Sequence, residues 1–477
     1  MCGIVGQFIS VASNIETIKN AVDLMAHRGP DANGVFLDAG VIFGHTRLSI
    51  IDISNRSNQP FTYGETTISF NGEIWNHVEL RKELQFLGLR FRTKSDTEVV
   101  AAVLDKYGSQ GLNKLRGMFA IAWKRAEEKR FFLARDIFGE IPIHFIPKYP
   151  FQFCSELKIL KKICRNFSTS ISVPPGSFIE VEKSRYSVRK YSEPVLSKSR
   201  AQIKEAGEKT CKFLAASVNE RTISDVPICT LLSGGIDSSI ITYLLSMGNL
   251  GLVAYTAVYN EKSNDLKYAR KLAKILGIEL REVKIPKPSK KDLVKIIEII
   301  EMPYKAQIEI GWICYWLAKK IREDGFKVVF SGEGSDELLA SYAFSYYSLK
   351  TQDFQQYRKD LFLTQERKNF CRTNKIFMHF GVESRLPFLN KELVEFLLSL
   401  PVEIVRDGKN LKNILSTAFC STPIPQEILY RPKVAFQDGA GIKEDIQELF
   451  GGKQQAMSFY RGEYKRLYLS NSKGFGL

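Results

Sequence analysis

The hydrophobic pattern of this 477-residue chain changes its period near Ala201. Before that point, short apolar or alternating runs such as Thr67 to Asn71 and Met118 to Trp123 predict strands of antiparallel sheets. After it, strand-like runs alternate with helical runs, which is typical of a parallel sheet with helices on both faces. The chain is also too long for one ordinary domain. The pattern therefore predicts an α+β layered sandwich followed by an α/β doubly wound domain.

Two helices and a hairpin are predicted within the strand-rich part. Apolar residues recur at helical spacing from Ile15 to Met25, and Asp96 is placed to cap a second helix that runs through Val103. The charged turn Lys124 to Lys129 lies between two apolar runs, which predicts a hairpin.

The segment from Val173 to Arg200 is rich in proline and polar residues, and it is predicted to connect domains at 1–190 and 200–477. In the second domain, the apolar runs Pro227 to Leu232 and Lys327 to Phe330 each end in a glycine-rich turn that leads into a helix. Ligands of doubly wound sheets bind where strands end and helices begin. These two turns are therefore predicted to line the binding site.

Composition narrows the classes of function. The chain has no run of eighteen apolar residues, and Met1 to Gly6 lacks the basic region of a signal peptide, so neither a membrane span nor export is predicted. The eight cysteines have no metal spacing, which predicts reduced thiols and a cytoplasmic location. The net charge of +16 is spread along the chain without an RNA-binding motif. A basic surface around anionic substrates is therefore favoured over nucleic-acid binding.

The strongest chemical signal in the first domain is Cys2, followed by four motifs. Removal of Met1 would leave the thiol beside a free α-amino group that can act as its base. The motifs supply a cation for a carboxylate, an amide and a backbone N–H for an oxyanion, and acids for an ammonium group. They are HRGPD at 27–31, RLSIID at 47–52, NGEI at 71–74 and SD at 95–96. Hydrolysis of an amino-acid amide through a thioester requires these groups.

These motifs resemble those of the class II glutamine amidotransferase domain, which is an N-terminal-nucleophile glutaminase. The resemblance implies that Cys2 is the nucleophile and that Asn71 and Gly72 form the oxyanion hole. It also implies a set of glutamine-binding residues: Arg47, Leu48, Ser49, Ile50, Ile51, Asn71, Gly72, Glu73 and Asp96.

The segment LLSGGIDSS at 231–239 carries the second signal. Glycines let a backbone approach phosphate, and serine hydroxyls and helix N–H groups bind its oxygens. Asp237 suits a bridging Mg²⁺ rather than direct phosphate contact. No GxxxxGK[ST] motif is present, which excludes a Walker-type NTPase. The segment resembles the pyrophosphate loop of enzymes that adenylate a substrate.

The third signal is SGEGSDE at 331–337, where three acids in five residues need a cationic partner. With the pyrophosphate loop, it resembles the synthetase half of asparagine synthetases. The resemblance implies that Glu333 and Lys433 are catalytic and that Asp237 and Asp336 share Mg²⁺. It also implies the ATP-binding residues Leu232, Ser233, Gly234, Gly235, Asp237, Ser238, Val258, Ser331 and Gly332.

From Cys2 to about Gly441, the chain follows the motif order of the glutamine-hydrolysing asparagine synthetase family. The resemblance implies a ligase that uses glutamine, aspartate, ATP and Mg²⁺ to make asparagine, and it leaves room for a homodimer. Trp75 and Asn390 replace the usual Tyr and Asp, so a related amidotransferase for a sugar acid or a peptide side chain stays open. An RNA-modifying enzyme is the alternative from another class, and it leaves the series from Cys2 to Asp96 unexplained.

Overall fold

The computed structural model describes residues 1–8, 15–38, 40–126, 128–164, 167–248, 251–259, 264–342, 354–407, 410–431 and 442–469. Within these residues, the first part of the chain forms two antiparallel six-stranded sheets and the second part a parallel five-stranded sheet. The predicted fold class, an α+β N-terminal-nucleophile sandwich followed by an α/β doubly wound domain, is confirmed.

The strands of the two antiparallel sheets pack face to face around an apolar core. In chain order they are β1 Gly3–Phe8, β2 Ala32–Asp38, β3 Val41–Arg47, β4 Phe61–Tyr63, β5 Thr66–Ile74, β6 Gly117–Arg125, β7 Arg130–Arg135, β8 His144–Ile146, β9 Phe151–Cys154, β10 Ile171–Ser172, β11 Ser177–Glu182 and β12 Arg185–Lys190. One sheet has the order β10-β8-β9-β1-β3-β2 and the other β12-β11-β7-β6-β5-β4. The backbone nitrogen of Cys2, just before β1 of one sheet, donates to the side chain of Asn71 on β5 of the other, so these two residues join the two sheets.

Four helices accompany these sheets in the described part of the first domain: α1 Ile15–Leu24, α2 His77–Phe86, α3 Asp96–Tyr107 and α4 Leu157–Ile163. The predicted hairpin is confirmed, since β6 and β7 pair antiparallel. The predicted cap at Asp96 is wrong by one residue. Ser95 is the N-cap and its side chain accepts from the Glu98 N–H, whereas Asp96 accepts from the backbone N–H of Ile74.

The predicted connection from Val173 is wrong over Ser177–Lys190, which form β11 and β12. Strand β11 pairs with β7 and β12, so this hairpin completes the second antiparallel sheet. Strand β12 is the exposed edge of the sheet and has almost no buried face. It therefore lacks the alternation by which a strand is recognised in a sequence.

The second domain is built on a parallel sheet. Its strands are β13 Ile228–Leu231, β14 Val253–Val258, β15 Glu279–Lys284, β16 Val328–Phe330 and β17 Glu383–Arg385. They are arranged in the order β15-β14-β13-β16-β17. The order changes direction between β13 and β16, so the loops after these two strands share one crevice. Both predicted glycine-rich turns are these loops.

Helices cover this sheet, and those predicted after the first two strands are confirmed. The helices that the structure describes here are α5 Ile203–Glu220, α6 Ile236–Ser246, α7 Asn264–Leu276, α8 Lys290–Ile300, α9 Lys305–Glu323, α10 Ser335–Leu338, α11 Phe354–Leu363, α12 Asn369–Met378, α13 Lys391–Ser399, α14 Val402–Val405, α15 Asn413–Ala418, α16 Gln426–Leu429, α17 Ile442–Phe450 and α18 Lys453–Tyr464. In the described part of the chain, no helix has the length and apolar character needed to cross a membrane.

The two domains share an apolar core and buried polar contacts. One apolar cluster includes Ile4 and Phe43 of the first domain and Phe330 of the second. Glu301 of the second domain accepts hydrogen bonds from the first two backbone N–H groups of α4, at 3.0 and 2.8 Å, and forms a buried ion pair with Lys375. The interface therefore satisfies backbone groups of one domain with a side chain of the other.

Candidate active site

Cys2 lies immediately before β1 and is held by two hydrogen bonds. Its backbone nitrogen donates to Oδ1 of Asn71 at 2.8 Å, and its carbonyl accepts from Nε of Arg28 at 2.9 Å. Burial raises the pKa of the Cys2 thiol above its ordinary value, while the N-terminal ammonium and Arg47 act in the opposite sense. A thiol in this environment needs a base before it can attack a carbonyl.

Met1 fills the space between Cys2 and the second domain. Its ammonium group lies 2.7 Å from Oε2 of Glu383, and its sulfur accepts from Nδ2 of Asn374 at 3.2 Å. Glu383 also accepts from Nε of Arg385 at 2.7 Å. The side chain of Met1 is 1% exposed. The N-terminus is therefore fixed by residues that lie more than 370 positions away in the chain.

Asn71 and Gly72, the residues predicted to form the oxyanion hole, both lie on β5. Oδ1 of Asn71 accepts from Cys2, whereas its buried Nδ2 has no hydrogen-bond partner among the described residues. An unsatisfied buried donor costs about 1–3 kcal/mol, so it indicates a ligand position. A Cβ atom on Gly72 would lie 2.0 Å from the carbonyl oxygen of Met118, so only glycine fits there.

Two buried acids, Glu73 and Asp96, lie next to Asn71 and Gly72, since Glu73 follows them on β5 and Asp96 accepts from the backbone N–H of Ile74. Burial raises the pKa of Glu73 well above its ordinary value, and the neighbouring Glu383 and Asp96 raise it further. Oε2 of Glu73 is buried without a hydrogen-bond partner among the described residues. Burial also raises the pKa of Asp96. A cationic ligand would stabilise both carboxylates, as the ammonium group of an amino acid does.

Arg47 ends β3, and Leu48 to Ile51 follow it against Cys2. The backbone of Leu48 is close enough to the Cys2 thiol to act against the rise of its pKa. Leu48, Ser49 and Ile50 are buried and Ile51 is half-buried. The Arg47 guanidinium donates to the carbonyl oxygens of Ser54 and Asp52 and to Oδ1 of Asn58. Arg47 therefore fixes the loop that follows it, in addition to its predicted position near the nucleophile.

Arg28 is a residue of this site to which the sequence analysis gave no role. It is fully buried, and besides the Cys2 carbonyl it binds Oε1 of Glu156 at 3.2 Å and Oδ1 of Asn374 at 3.1 Å. It thereby connects Cys2 to helix α12 of the second domain. Its position inside the HRGPD motif was the sequence signal that could have indicated this role.

The loop between β13 and α6 is folded back on itself. The backbone nitrogen of Ser233 donates to Oγ of Ser238 at 3.1 Å, and the two hydroxyls are 3.0 Å apart. Gly234 has a φ of +74°, and a Cβ there would lie 2.4 Å from the carbonyl oxygen of Asp265. Leu232 is buried beneath the loop, and Val258 ends the neighbouring strand. Gly235 precedes α6, so the loop presents a helix N-terminus to the crevice.

The loop after β16 packs against the first loop. A Cβ atom on Gly332 would lie 2.9 Å from the Cβ of Asp237, so a side chain at this position would separate the two loops. The backbone N–H of Ser331 donates to the Arg385 carbonyl at 3.0 Å. The predicted ATP-binding residues of both loops are therefore in one place.

Asp237 and Asp336 both contact the ammonium group of Lys412. Its Nζ lies 2.5 Å from Oδ2 of Asp237 and 2.6 Å from Oδ1 of Asp336. Oγ of Ser335 donates to the other oxygen of Asp237 at 2.7 Å. The structure thus brings together the two acids that the sequence predicted to share a metal. Lys412 was missed, because a single lysine has no local signature.

Glu333 lies beside this group, next to a second acid. Its Oε2 accepts from Nη2 of Arg372 and from Oγ1 of Thr373. Glu337 is buried, and burial, with the charges of Glu333 and Asp336, raises its pKa to about 7. The sequence analysis gave Glu337 no role of its own, although it belongs to the same SGEGSDE motif.

Lys433 lies outside the described residues, and its predicted role stays a prediction. Two residues before it, Arg431 donates to the carbonyl oxygen of Gly234 at 3.3 Å and to Oδ1 of Asp265 at 2.5 Å. The described chain therefore reaches the loop between β13 and α6 just before Lys433.

Comparison with known proteins assigns both domains. Residues 1–191 match the family profile of a glutamine amidotransferase domain, and residues 210–371 and 362–458 match that of asparagine synthase. The chain is 31% identical to asparagine synthetase B (glutamine-hydrolyzing) of Escherichia coli, over 97% of this chain and 88% of that protein. The chain belongs to the asparagine synthetase family. It is also 31% identical to asparagine synthetase (glutamine-hydrolyzing) 2 of Oryza sativa subsp. japonica, over 92% of this chain and 78% of that protein.

Two departures from the asparagine synthetase pattern have structural roles. The guanidinium groups of Arg221 and Arg385 lie 5.1 and 5.2 Å from the ring centroid of Trp75. Asn390 caps α13, accepting from the backbone N–H of Leu393 at 2.9 Å. Trp75 therefore contacts two cations of the second domain, and Asn390 stabilises a helix end. Neither residue belongs to the loops that follow β13 and β16.

Proposed function

We propose that the chain converts L-aspartate, L-glutamine, ATP and water into L-asparagine, L-glutamate, AMP and diphosphate through a β-aspartyl-adenylate. The observation that carries this proposal is the presence of two sites in one chain. Cys2 lies beside an unpartnered donor of Asn71, and the two glycine-rich loops of the second domain meet at the point where the strand order changes direction. Family membership favours this reaction over amidation of a sugar acid or a peptide side chain.

In the first site, we assign Cys2 as the nucleophile. Without Met1, the nitrogen of Cys2 becomes a free amine that stays within reach of Oδ1 of Asn71 and can accept the proton of the thiol. Nδ2 of Asn71 and the N–H of Gly72 then stabilise the oxyanion of the tetrahedral intermediate. Glu73 and Asp96 bind the ammonium group of glutamine.

The carboxylate of glutamine is assigned to Arg47, with the pocket wall formed by Leu48 to Ile51. Arg47 lies at the end of β3, next to the residues that contact the thiol. A guanidinium group pairs well with a carboxylate, which supports this part of the assignment.

In the second site, Asp237 and Asp336 fit a magnesium ion. Their oxygens converge on one cation, and Mg²⁺ is usually held by one or two carboxylates together with substrate phosphates and water. When bound, Mg²⁺ neutralises charge on the departing diphosphate. The folded loop from Ser233 to Ser238 and the N-terminus of α6 then bind phosphate oxygens.

Glu333 is assigned to the amidation step. Ammonia must lose a proton as it attacks the acyl carbon, and a nearby carboxylate can accept that proton. Arg372 fixes the position of the Glu333 carboxylate through their ion pair. Lys433 is assigned to the departing diphosphate.

The remaining assignments rest on the sequence. We propose domains at 1–190 and 200–477, a cytoplasmic location, and small molecules as partners, without nucleic acid or membrane. A homodimer stays a prediction.

The Cys2→Ala variant tests the division into two sites. We expect it to lose glutamine hydrolysis and to keep asparagine formation from ammonium salts, measured as glutamate and AMP release. Cys420→Ala, which changes an exposed cysteine, is the control and should behave like the parent. Glutamate release at the parent rate by Cys2→Ala would show that Cys2 is not the nucleophile. AMP release that does not depend on aspartate would instead favour another carboxylate.

A further inference from the structure

Lys412 lies where a metal ion would be needed. Its ammonium group is within 2.6 Å of one oxygen from each of Asp237 and Asp336. Magnesium binds oxygen at about 2.0–2.1 Å, so an ion near the Nζ position can bridge the same two oxygens after a small adjustment. Lysine and metal therefore compete for one position.

The surroundings show that this ion pair is open to the crevice. The side chain of Lys412 is 5% exposed, whereas those of Asp237 and Asp336 are 14% and 22% exposed. The ion pair of Lys375 with Glu301 differs, since its two side chains are 1% and 0% exposed. Solutes can therefore reach the carboxylates at Lys412, while the pair at Lys375 is sealed within the domain interface.

We propose that Lys412 is an internal counter-ion that keeps divalent metal out of the nucleotide-free enzyme and admits it only together with ATP. The inference rests on the metal site assigned above to Asp237 and Asp336. The role of Lys412 adds an order in which ATP and metal bind to this site. Lys412 itself lies outside the two loops that carry the sequence motifs.

The charges at the site give the reason for this order. Without nucleotide, Lys412 already offsets one of the two carboxylate charges, and a divalent ion that entered would be repelled by the ammonium group. Phosphates that bind at the loop from Ser233 to Ser238 would offer Lys412 a new anionic partner close to Asp237. Lys412 can then exchange a carboxylate for a phosphate oxygen, which leaves both carboxylates to the metal.

Direct metal binding tests the proposal without any measurement of activity. Mn²⁺ serves as the probe, because its free form is measured by electron paramagnetic resonance. We expect the parent protein to bind Mn²⁺ weakly at this site without nucleotide and more tightly with α,β-methylene-ATP. Lys412→Met should bind Mn²⁺ without nucleotide about tenfold or more tightly than the parent, since the competing charge is gone.

Three further variants make the outcome specific. Lys412→Arg keeps the charge and should resemble the parent, whereas Lys412→Gln is a second neutral change and should resemble Lys412→Met. Adding Asp237→Asn to Lys412→Met should abolish the gained binding. Lys82→Met removes an exposed lysine and should have no effect. Circular dichroism melting curves identify any variant that does not fold.

Two results would overturn the proposal in different ways. Equal Mn²⁺ affinity of the parent and both neutral variants without nucleotide would show that Lys412 does not control metal entry, while the metal site itself would stand. If no variant binds Mn²⁺ even with the ATP analogue, the assignment of Asp237 and Asp336 as metal ligands fails, and the role of Lys412 fails with it.

Discussion

Nη2 of Arg372 lies 2.5 Å from Oε2 of Glu333, and the pair lies beside the crevice formed by the loops after β13 and β16. Arg372 is fully buried and also donates to Gln307 at 2.6 Å, so its guanidinium group is fixed in place. Glu333 is the more exposed partner, at 21%. The pair therefore presents a carboxylate of defined position to the place where we propose that the acyl-adenylate forms.

Glu333→Gln tests whether this carboxylate accepts a proton. We expect asparagine formation to fall by about 10²–10⁴-fold, the usual effect of losing acid–base help, while glutamine hydrolysis continues. The ratio of glutamate to asparagine measures the effect. Glu323→Gln, at an exposed site on α9, is the matched control. Asparagine formation at the parent rate by Glu333→Gln would reduce Glu333 to an ordinary loop acid.

Asn71→Ala tests the unpartnered donor next to Cys2. Loss of one oxyanion donor should lower kcat for glutamine hydrolysis by about 10²–10³-fold. Synthesis from ammonium salts should stay at the parent rate, because it does not use this site. Steady-state glutaminase kinetics provide the measurement. A change confined to KM would mean that Asn71 binds substrate without stabilising the oxyanion.

Asp237→Asn and Asp336→Asn test the shared metal. Each variant has one metal-binding carboxylate fewer, so diphosphate release should need a higher Mg²⁺ concentration and should be slower. Glutaminase activity should be unchanged in both. Asp360→Asn, at an exposed position, controls for the loss of one negative charge. Parent-like Mg²⁺ dependence in either variant would argue against a metal shared by the two acids.

Glu337 should make stability depend on pH. Its pKa is raised from 4.5 to about 7, so the folded state keeps a proton that the unfolded chain loses above about pH 4.5. The stabilisation from this group is present at low pH and is lost as the pH rises to 7. We expect the free energy of unfolding of the parent to fall relative to that of Glu337→Gln, by at most about 1.4 kcal/mol per pH unit. Urea titrations from pH 5 to 8 measure both slopes, and identical slopes would contradict the raised pKa.

The sequence predicts those parts of the site in which the polar motif residues and the glycines that the backbone requires lie in the same short segment. Gly72 and Gly234 are needed because a Cβ would collide with a neighbouring carbonyl oxygen, and each lies within its motif. The two loops of the second domain were predicted together because both follow parallel strands. Local sequence therefore sufficed for the fold class and for placing the two loops side by side, and the roles of the candidate residues stay predictions.

Two basic residues that act through long-range contacts were given no role from the sequence. Lys412 lies 175 positions from Asp237, and Arg28 lies 346 positions from Asn374. Nothing in the neighbouring sequence of either basic residue indicates its partner. The edge strand β12 was missed for a different reason, since a strand without a buried face has no hydrophobic alternation to detect.

The position of Glu301 limits the exchange of either domain for that of a related protein. This acid belongs to the second domain, yet it supplies the acceptors for the first N–H groups of α4 in the first. A transplanted first domain would lose those acceptors, and leaving a buried backbone donor unsatisfied costs about 1–3 kcal/mol each. A chimaera would therefore have to carry an acid equivalent to Glu301, together with a cation in place of Lys375, in its new partner.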